Sequence, residues 1–279
     1  MSATPVDGDI PSRAATQDSL LLRKVLQSIN AQSCPKTYNF HMHTNCSDGK
    51  LDPSELMAQA VEIGLKGLAI TDHHSLKGYR QASQWMEDWR WHNPSSWGQR
   101  QRRKGKGSRR RPNRKRAEVR SAERTQVETD SRSQKVLPKK TLPKLWTGIE
   151  ITSRLAETDV HILGYAFDPS AVAMKPYIQG SAPKGEDRQA NRVISAIQKA
   201  GGIAVLAHPV RYRTDEVTLI NAAAGLGIDG VETYYAYNNP AVWRPSPGKT
   251  ERVAALAIAH NLLSSCGTDT HGRMITRRL

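Results

Sequence analysis

Apolar positions along this chain fall into two alternating periods. In residues 19–30, Leu22, Val25, Leu26 and Ile29 lie at i, i+3, i+4 and i+7, the stripe of one amphipathic helix. Residues 1–16, ahead of it, carry no stripe and read as loose. Residues 38–43 read as a strand. Asp52, Pro53 and Glu55 then spell a helix start, with Asp52 as N-cap, Pro53 in the first turn and Glu55 three residues after the cap. Leu56, Ala60 and Val61 form its apolar stripe, and Gly64 ends it. Residues 67–71 form a short apolar strand, 76–89 a helix, and 145–151 with 160–167 a strand pair. The remainder alternates as helix 186–200, strand 203–207, helix 215–226, strand 230–233, helix 249–261 and strand 262–266.

This alternation predicts an α/β protein whose short apolar strands run parallel and are buried on both faces. Residues 37–84 and 145–272 supply 176 positions with ordered patterning, whereas a full eight-fold barrel takes about 250. A reduced or distorted barrel is therefore expected. The organisation reads as an N-terminal extension with one amphipathic helix (1–36), then one domain (37–279) interrupted by an insert at 98–144.

Charge picks out that insert. The chain has 279 residues and a net charge of +15, yet residues 98–144 hold 18 Lys and Arg against 4 Asp and Glu, which leaves the rest nearly neutral. The stretch QRRKGKGSRRRPNRKR has too little apolar surface to offset the entropy of ordering it, so disorder is expected. It reads either as a solvated, self-repelling loop or as an electrostatic arm for RNA, DNA or another polyanion. Four of the six tryptophans (Trp85, Trp89, Trp91, Trp97) precede it, but the spacing of Trp85 and Trp89 fits helix packing. Three scattered cysteines exclude a disulfide scaffold. No membrane span and no leader are apparent, and a cytoplasmic location is expected.

The histidines carry the chemistry. Seven of nine lie at predicted strand ends or on strands: His41 and His43 in HMH, His73 and His74 after GLAITD, His161, His208 after IAVLA, and His271 after GTDT. Asp48, Glu150 and Asp269 accompany them. Strand ends of a parallel α/β sheet converge on one face, where active sites collect. Residues i and i+2 of a strand point the same way, so His41 and His43 can grip one ion together. A lone histidine on an apolar strand is more often a hydrogen-bonded core residue. Five separate polar strand ends are hard to produce from packing alone, because each buried group needs a partner. Imidazole and carboxylate donors without paired thiolates suit Zn, Mn or Fe. His92 and His260 fall outside the pattern, and Cys46 and Cys266 read as small packing residues.

The segments FHMHTNCSDGKLDPSEL, GLAITDHHSLKG, GIEIT with VHILGYAFDP, GGIAVLAHPVR and GTDTHG, in this order, resemble the PHP (polymerase and histidinol phosphatase) superfamily of metal-dependent phosphoesterases. The resemblance covers residues 38–272 apart from the insert. It implies a distorted (β/α)7 barrel of the PHP type, with two or three divalent ions (Mn, Fe or Zn) on its C-terminal face. Carried over by position, the metal ligands are His41, His43, Asp48, His73, Glu150, His161, His208, Asp269 and His271, with Glu150 as the bridging carboxylate. Asp48, Glu150, His208 and Asp269 are the candidate catalytic residues. Two departures stand out. His74 occupies a position that is often Asp or Gly in relatives, and reads as an extra ligand, a proton donor or, preferably, a residue behind the ligands. Relatives that hydrolyse nucleoside 3′,5′-bisphosphates and trim RNA 5′ ends carry a long subdomain between the positions of His161 and His208, where this chain has 46 residues.

Phosphate-ester hydrolysis suits such a site: two ions about 3.5–4 Å apart would share a hydroxide and clamp the attacking and leaving oxygens, and a third would hold a nonbridging oxygen. Asp72 is expected to orient the ligands. Arg211 is the first candidate for substrate phosphate, with Lys77 and His74 beside it. The expected activity is that of a phosphatase or exonuclease acting on a phosphorylated small molecule, a nucleotide, a nucleoside bisphosphate or an oligonucleotide end. The alternatives are a non-catalytic, metal-stabilised nucleic-acid-binding module that uses the insert, or a phosphatase of the histidinol-phosphate type.

Overall fold

The computed structural model describes residues 11–93 and 140–279. The expectations for residues 1–10, for Trp97 and for the insert up to residue 139, its disorder included, lie outside the described residues.

Helix α1 (Arg13–Leu26) starts six residues ahead of the predicted one, so residues 13–16 are helical rather than loose. The cause is a cap that hydrophobic spacing does not register. Ser12 accepts a hydrogen bond from the Ala15 N–H, and the carboxylate of Asp168 accepts the Ser12 N–H at 3.0 Å. Leu22, Leu26 and Ile29 bury the expected stripe against Phe40, Trp146, Ile203 and Cys266. Helix α2 (Pro53–Ile63) has the capping box read from sequence, and Gly64 closes it at φ 80°, a left-handed conformation that suits glycine. Helix α3 (Lys77–His92) packs against α2. Trp85 lies against that core while Trp91 stands 83% exposed.

The strands pair as two sheets. Strands β1 (Tyr38–Asn39), β2 (Gly67–Ala69) and β3 (Lys144–Trp146) run parallel in that order. The second sheet holds β4 (Gly148–Leu155), β5 (Thr158–Tyr165), β6 (Ile203–Leu206), β7 (Gly230–Tyr234) and β8 (Leu263–Cys266). Here the expectation of an all-parallel arrangement fails, because β5 is antiparallel to both β4 and β6. The reason is the two-residue hairpin Ala156–Glu157, whose φ angles of 45° and 59° are both positive. That geometry matches the twist of the flanking strands, but the usual Asn-Gly signature is missing. The strand expected over 145–151 is split at Thr147, which separates β3 from β4 and hands the chain from one sheet to the other.

Backbone hydrogen bonds join the sheets along both edges. Phe40 donates to Cys266 at 3.0 Å, Asp269 to His41 at 2.8 Å and His43 to Thr270 at 3.0 Å; on the other edge His74 donates to Glu150 at 3.0 Å. The first edge needs Gly267, where a Cβ would stand 2.2 Å from the Cβ of His41. The result is a mixed α/β fold, with α4 (Ala190–Lys199) packed on β4, β5 and β6, and α6 (Pro247–Ala259) on β7 and β8. Helix α5 (Glu216–Gly225) lies between, capped by Asp215. The helix expected over 186–200 is divided: a 3-10 turn (Gly185–Arg188) precedes α4, and Gln189 between them is extended. The end of the insert also belongs to this body, because Lys140 pairs with Glu62 and Lys144 lies on β3, paired with Asp18. Among the described residues, no helix is long and apolar enough to cross a membrane.

Asp168 ties α1 to this body. Its carboxylate accepts from Ser170 N at 2.9 Å, Ser170 Oγ at 2.5 Å and Ser12 N at 3.0 Å. Burial alone would raise its pKa, but the bonds from Ser170 and Ser12 outweigh it and hold the group at about 2. A depressed carboxylate stabilises the fold above its ordinary pKa and ceases to do so as pH falls through the folded value. Asp168→Asn should therefore lower Tm by a few degrees at pH 7, from about 1–2 kcal/mol of charge-assisted bonding. The gap to the parent protein should narrow between pH 4 and pH 2, as read by thermal melts across that range.

Candidate metal centre

One face of the fold gathers side chains from almost every strand. Glu150 is the third residue of β4, and its side chain is 1% exposed. His161 enters from β5, near the start of that strand. His41 and His43 follow β1, His73 follows β2, His208 follows β6, and Asp269 and His271 follow β8. Asp48 sits in the turn between β1 and α2. The reversed direction of β5 is why His161, on a strand rather than after one, still reaches the cluster: the hairpin start of β5 lies at the same end as the finish of β4, with Thr152 opposite His161.

Glu150 is the hub. Its Oε2 lies 3.1 Å from His41 Nε2, 3.0 Å from His43 Nε2 and 3.6 Å from His73 Nε2. Its Oε1 lies 2.8 Å from His161 Nδ1 and 3.3 Å from His208 Nε2. Asp269 Oδ1 adds contacts at 3.4 Å to His41, 3.3 Å to His43 and 3.4 Å to His271. Asp48, half exposed at the mouth, lies 3.1 Å from His271 and 3.7 Å from His73. Three groups of donor atoms, each close enough to hold one ion, follow: His41, His43, Glu150 and Asp269; His43, Asp48, His73 and His271; and His73, Glu150 and His161. His208 joins through Glu150. All nine predicted positions are thus brought together.

These residues fit divalent ions. Both ring nitrogens of His43 and Nδ1 of His161 are buried without a hydrogen-bond partner. His43 Nε2 and His161 Nδ1 nevertheless stand at bonding distance from Glu150, at angles that no N–H bond satisfies. Donors that converge on a point without bonding one another are what a cation requires. The charges are correspondingly strained. Burial alone would lower the pKa of His41, yet Glu232, Glu150 and Asp269 raise it well above the ordinary value; His43, lowered by burial, is carried to about 9 by Asp269 and Glu150. Burial would raise Glu150 and Asp269, but neighbouring imidazoles, His41 first, hold both well down. Burial, with the neighbouring imidazoles of His43 and His161, takes His73 to about 4, against the pull of Glu150. His74, Asp269 and His208 also adopt positive φ (52°, 52° and 27°). Each is pinned by its own N–H, donated to Glu150 O, His41 O and Glu232 Oε2, so the surroundings enforce a conformation that L residues avoid.

The groups behind the cluster differ from expectation. Asp72 does not orient an imidazole. It accepts from Thr44 N and Oγ1, both at 2.7 Å, and from Ser47 Oγ at 2.8 Å, and so shapes the turn that carries Asp48. The orienting carboxylate is Glu232 on β7, fully buried, with Oε1 3.0 Å from His41 Nδ1 and Oε2 accepting from His208 N. Sequence reading passed over it, although a carboxylate inside the strand GVETY is a legible signal. Tyr235 and Arg278 were missed as well. Tyr235 donates to Asp269 Oδ2 at 2.6 Å, Arg278 Nε at 2.8 Å and Arg211 Nη1 at 2.9 Å. The outer oxygen of Asp269 is thereby occupied and its inner one left for the cluster. His74 is buried against Thr152 Oγ1 at 3.1 Å and belongs to none of the three groups; burial, then His161, takes it to about 4. Lys77 is exposed at the start of α3. His92 and His260 bond locally, to Asp88 and Asn221, as expected.

Because Glu232 fixes the ring of His41 while standing outside the donor groups, Glu232→Gln should keep the fold and weaken metal affinity about 10–100-fold. Titration of chelator-stripped protein with Mn or Zn checks this. Chelation itself should lower Tm, since an ion bound only by the folded state adds to its stability.

Comparison with known proteins agrees with this geometry. The PHP domain model matches residues 39–104. A 5′-3′ exoribonuclease of Haemophilus influenzae is 40% identical over 47 residues, 17% of each chain. Among solved structures, a protein of Bifidobacterium adolescentis assigned as a metal-dependent phosphoesterase superposes with a TM-score of 0.54 at 21% identity, over 86% of this chain and 89% of that one. An amidohydrolase from Chromobacterium violaceum, solved with sulfate bound, gives a TM-score of 0.55 at 17% identity over 85% and 88%. A PHP domain is thus matched over residues 39–104, which hold His41, His43, Asp48 and His73, and the fold of the whole body is shared with these solved structures.

Proposed function

We propose that the protein is a metal-dependent phosphoesterase that cleaves a phosphate ester of a nucleotide or of an oligonucleotide end. The observation that carries this reading is the single buried carboxylate of Glu150 in reach of five imidazoles, with Asp269 and Asp48 on its flanks. In this reading His41, His43, Asp48, His73, Glu150, His161, His208, Asp269 and His271 hold two or three ions. Nitrogen and oxygen donors without thiolates suit Mn, Fe or Zn. Divalent ions, when bound there, supply Lewis acidity to the phosphoryl group and acidify the attacking water.

The residues of the chain divide the remaining work. Asp48, His73 and His161 have side chains 51%, 23% and 30% exposed and form the mouth through which a phosphate reaches the buried donors. Glu232 and the backbone of β6–β8 hold His41 and His208 in place. Arg211 is half-buried beside Asp269 and keeps further N–H donors for a nonbridging phosphate oxygen. His74 stiffens the base of the site through Thr152, and Lys77 contributes charge at its rim. The bonds along both sheet edges, with β3 and β4 counted as one bent strand, support a distorted seven-stranded barrel as the frame. A purely structural ion site has no use for so exposed a carboxylate as Asp48, which favours the enzyme over a binding module. The nucleic-acid side of the reading rests on the 18 basic residues at 98–144 and on the exoribonuclease activity of the Haemophilus relative, which matches 17% of this chain.

Glu150→Gln should cut turnover of a chromogenic phosphoester by at least about 100-fold and reduce bound metal, since a shared ligand matters more than its outer partners. Asp48→Asn is the safer companion, because that side chain is half exposed: turnover should fall while the metal-free protein melts as the metal-free parent does. No hydrolysis by the metal-loaded parent across a panel of phosphomonoesters, diesters and oligonucleotides would overturn the reading. Replacing residues 98–139 with a short Gly-Ser linker should raise KM for an oligonucleotide at low salt and leave the chromogenic ester unaffected. Equal effects on both substrates would remove the nucleic-acid part.

A further inference from the structure

The chain enters and leaves its basic segment at the end of the fold opposite the metal centre. Helix α3 begins beside the cluster, where Gly78 packs so closely on Asp72 that a Cβ would stand 2.0 Å from its carboxylate. The helix runs for 16 residues to His92, which at 1.5 Å per residue lies about 24 Å away. The returning strand measures the same depth. Lys144 is level with the start of β2, and from there to Glu150 is about 20 Å of strand. The two roots also meet: Ser83, Glu87 and Arg90 of α3 line one groove with Pro143, Lys144 and Leu145.

Two features at this far end suit one kind of partner. Trp91, in the last turn of α3, is 83% exposed, so packing does not account for its indole. Shortly after Asn93 the sequence becomes strongly cationic: residues 100–116 hold 11 Lys and Arg and no Asp or Glu. At the other root, Lys140 and Lys144 are already paired with Glu62 and Asp18. A polyanion answers the charge, and open π-faces answer the indole. Single-stranded nucleic acid supplies both at once, with a continuous row of phosphates and bases free to stack. A duplex keeps its base faces inside its own stack.

We propose that the far end of α3 is a docking surface for single-stranded nucleic acid, with Trp91 as its stacking platform beside the basic segment, and that a strand held there presents its end to the metal centre. The docking stands without hydrolysis, and only the placing of the strand's end rests on the phosphoesterase reading. The depth of the fold then sets a minimum length. About 20–24 Å takes roughly six or seven nucleotides at the 3.4 Å spacing of a stacked strand, and fewer if the strand is stretched. Shorter substrates meet the metal centre alone, and longer ones gain the second contact.

Full-length, chelator-stripped protein and fluorescently labelled oligodeoxythymidylates of about 3 and about 15 nucleotides, below and above that length, test the surface without hydrolysis. Anisotropy should show the long strand bound, weakened about tenfold by Trp91→Ala and restored by Trp91→Tyr, which keeps a ring. Because the side chain is exposed, Tm should not move. The short strand, and the long one annealed to its complement, should be indifferent to Trp91→Ala. A long strand bound equally by parent and Trp91→Ala, or a short strand weakened as much as the long one, would overturn the proposal. In the metal-loaded protein, kcat/KM should rise with strand length in the parent and stay flat in Trp91→Ala, with the chromogenic ester unchanged. Length-dependent binding that needs Trp91, in a protein that hydrolyses nothing, would keep the surface and sink the phosphoesterase reading.

Discussion

Five imidazoles surround one buried carboxylate, and the rest of the molecule is arranged to make that tolerable. Glu150 cannot be ionised in a dry interior without compensation, and His41 and His43 cannot be neutral beside it and Asp269 without leaving nitrogens unsatisfied. With no ion present, protonated imidazoles supply the positive charge, which is why His41 and His43 lie above their ordinary range and Glu150 and Asp269 below theirs. A divalent cation meets the same demand with better geometry, and does so only once protons leave. The cluster is built for a charge that the chain itself does not carry.

Holding so many donors on one point requires rigid supports, and the fold provides them by crossing from sheet to sheet. The bonds Asp269 to His41, His43 to Thr270 and His74 to Glu150 are at once the seams between the two sheets and the clamps on metal-site residues. Gly267 exists where a side chain would push β8 away from His41. His74 and Asp269 keep positive φ at these seams, and His208 keeps it through its N–H to Glu232 Oε2. Stability and site geometry are therefore one property here.

Around the cluster, outer carboxylates and cations have separate tasks. Glu232 orients imidazole from below, Asp72 shapes the turn that presents Asp48, and the arginine pair with Tyr235 holds the outer oxygen of Asp269. This last arrangement occupies the outer oxygen of Asp269 and leaves the inner one facing His41, His43 and His271.

The sequence by itself determined the alternation of helices and strands, the capping of α2, and the polar residues at strand ends, from which the family resemblance picks the nine donors. Period, cap residues and a polar residue placed against an apolar strand are all encoded locally. It did not determine the direction of β5, because the turn at Ala156–Glu157 takes an αL–αL conformation without the residues that usually signal it. Nor did it reveal that Glu232, and not Asp72, is the carboxylate that faces an imidazole. Which of them faces an imidazole depends on pairings between residues 24 and 191 positions apart, His208 with Glu232 and His41 with Glu232. Only closure of the chain on itself sets such distances, so the ligands were legible in the sequence while the groups that hold them in place were settled by packing.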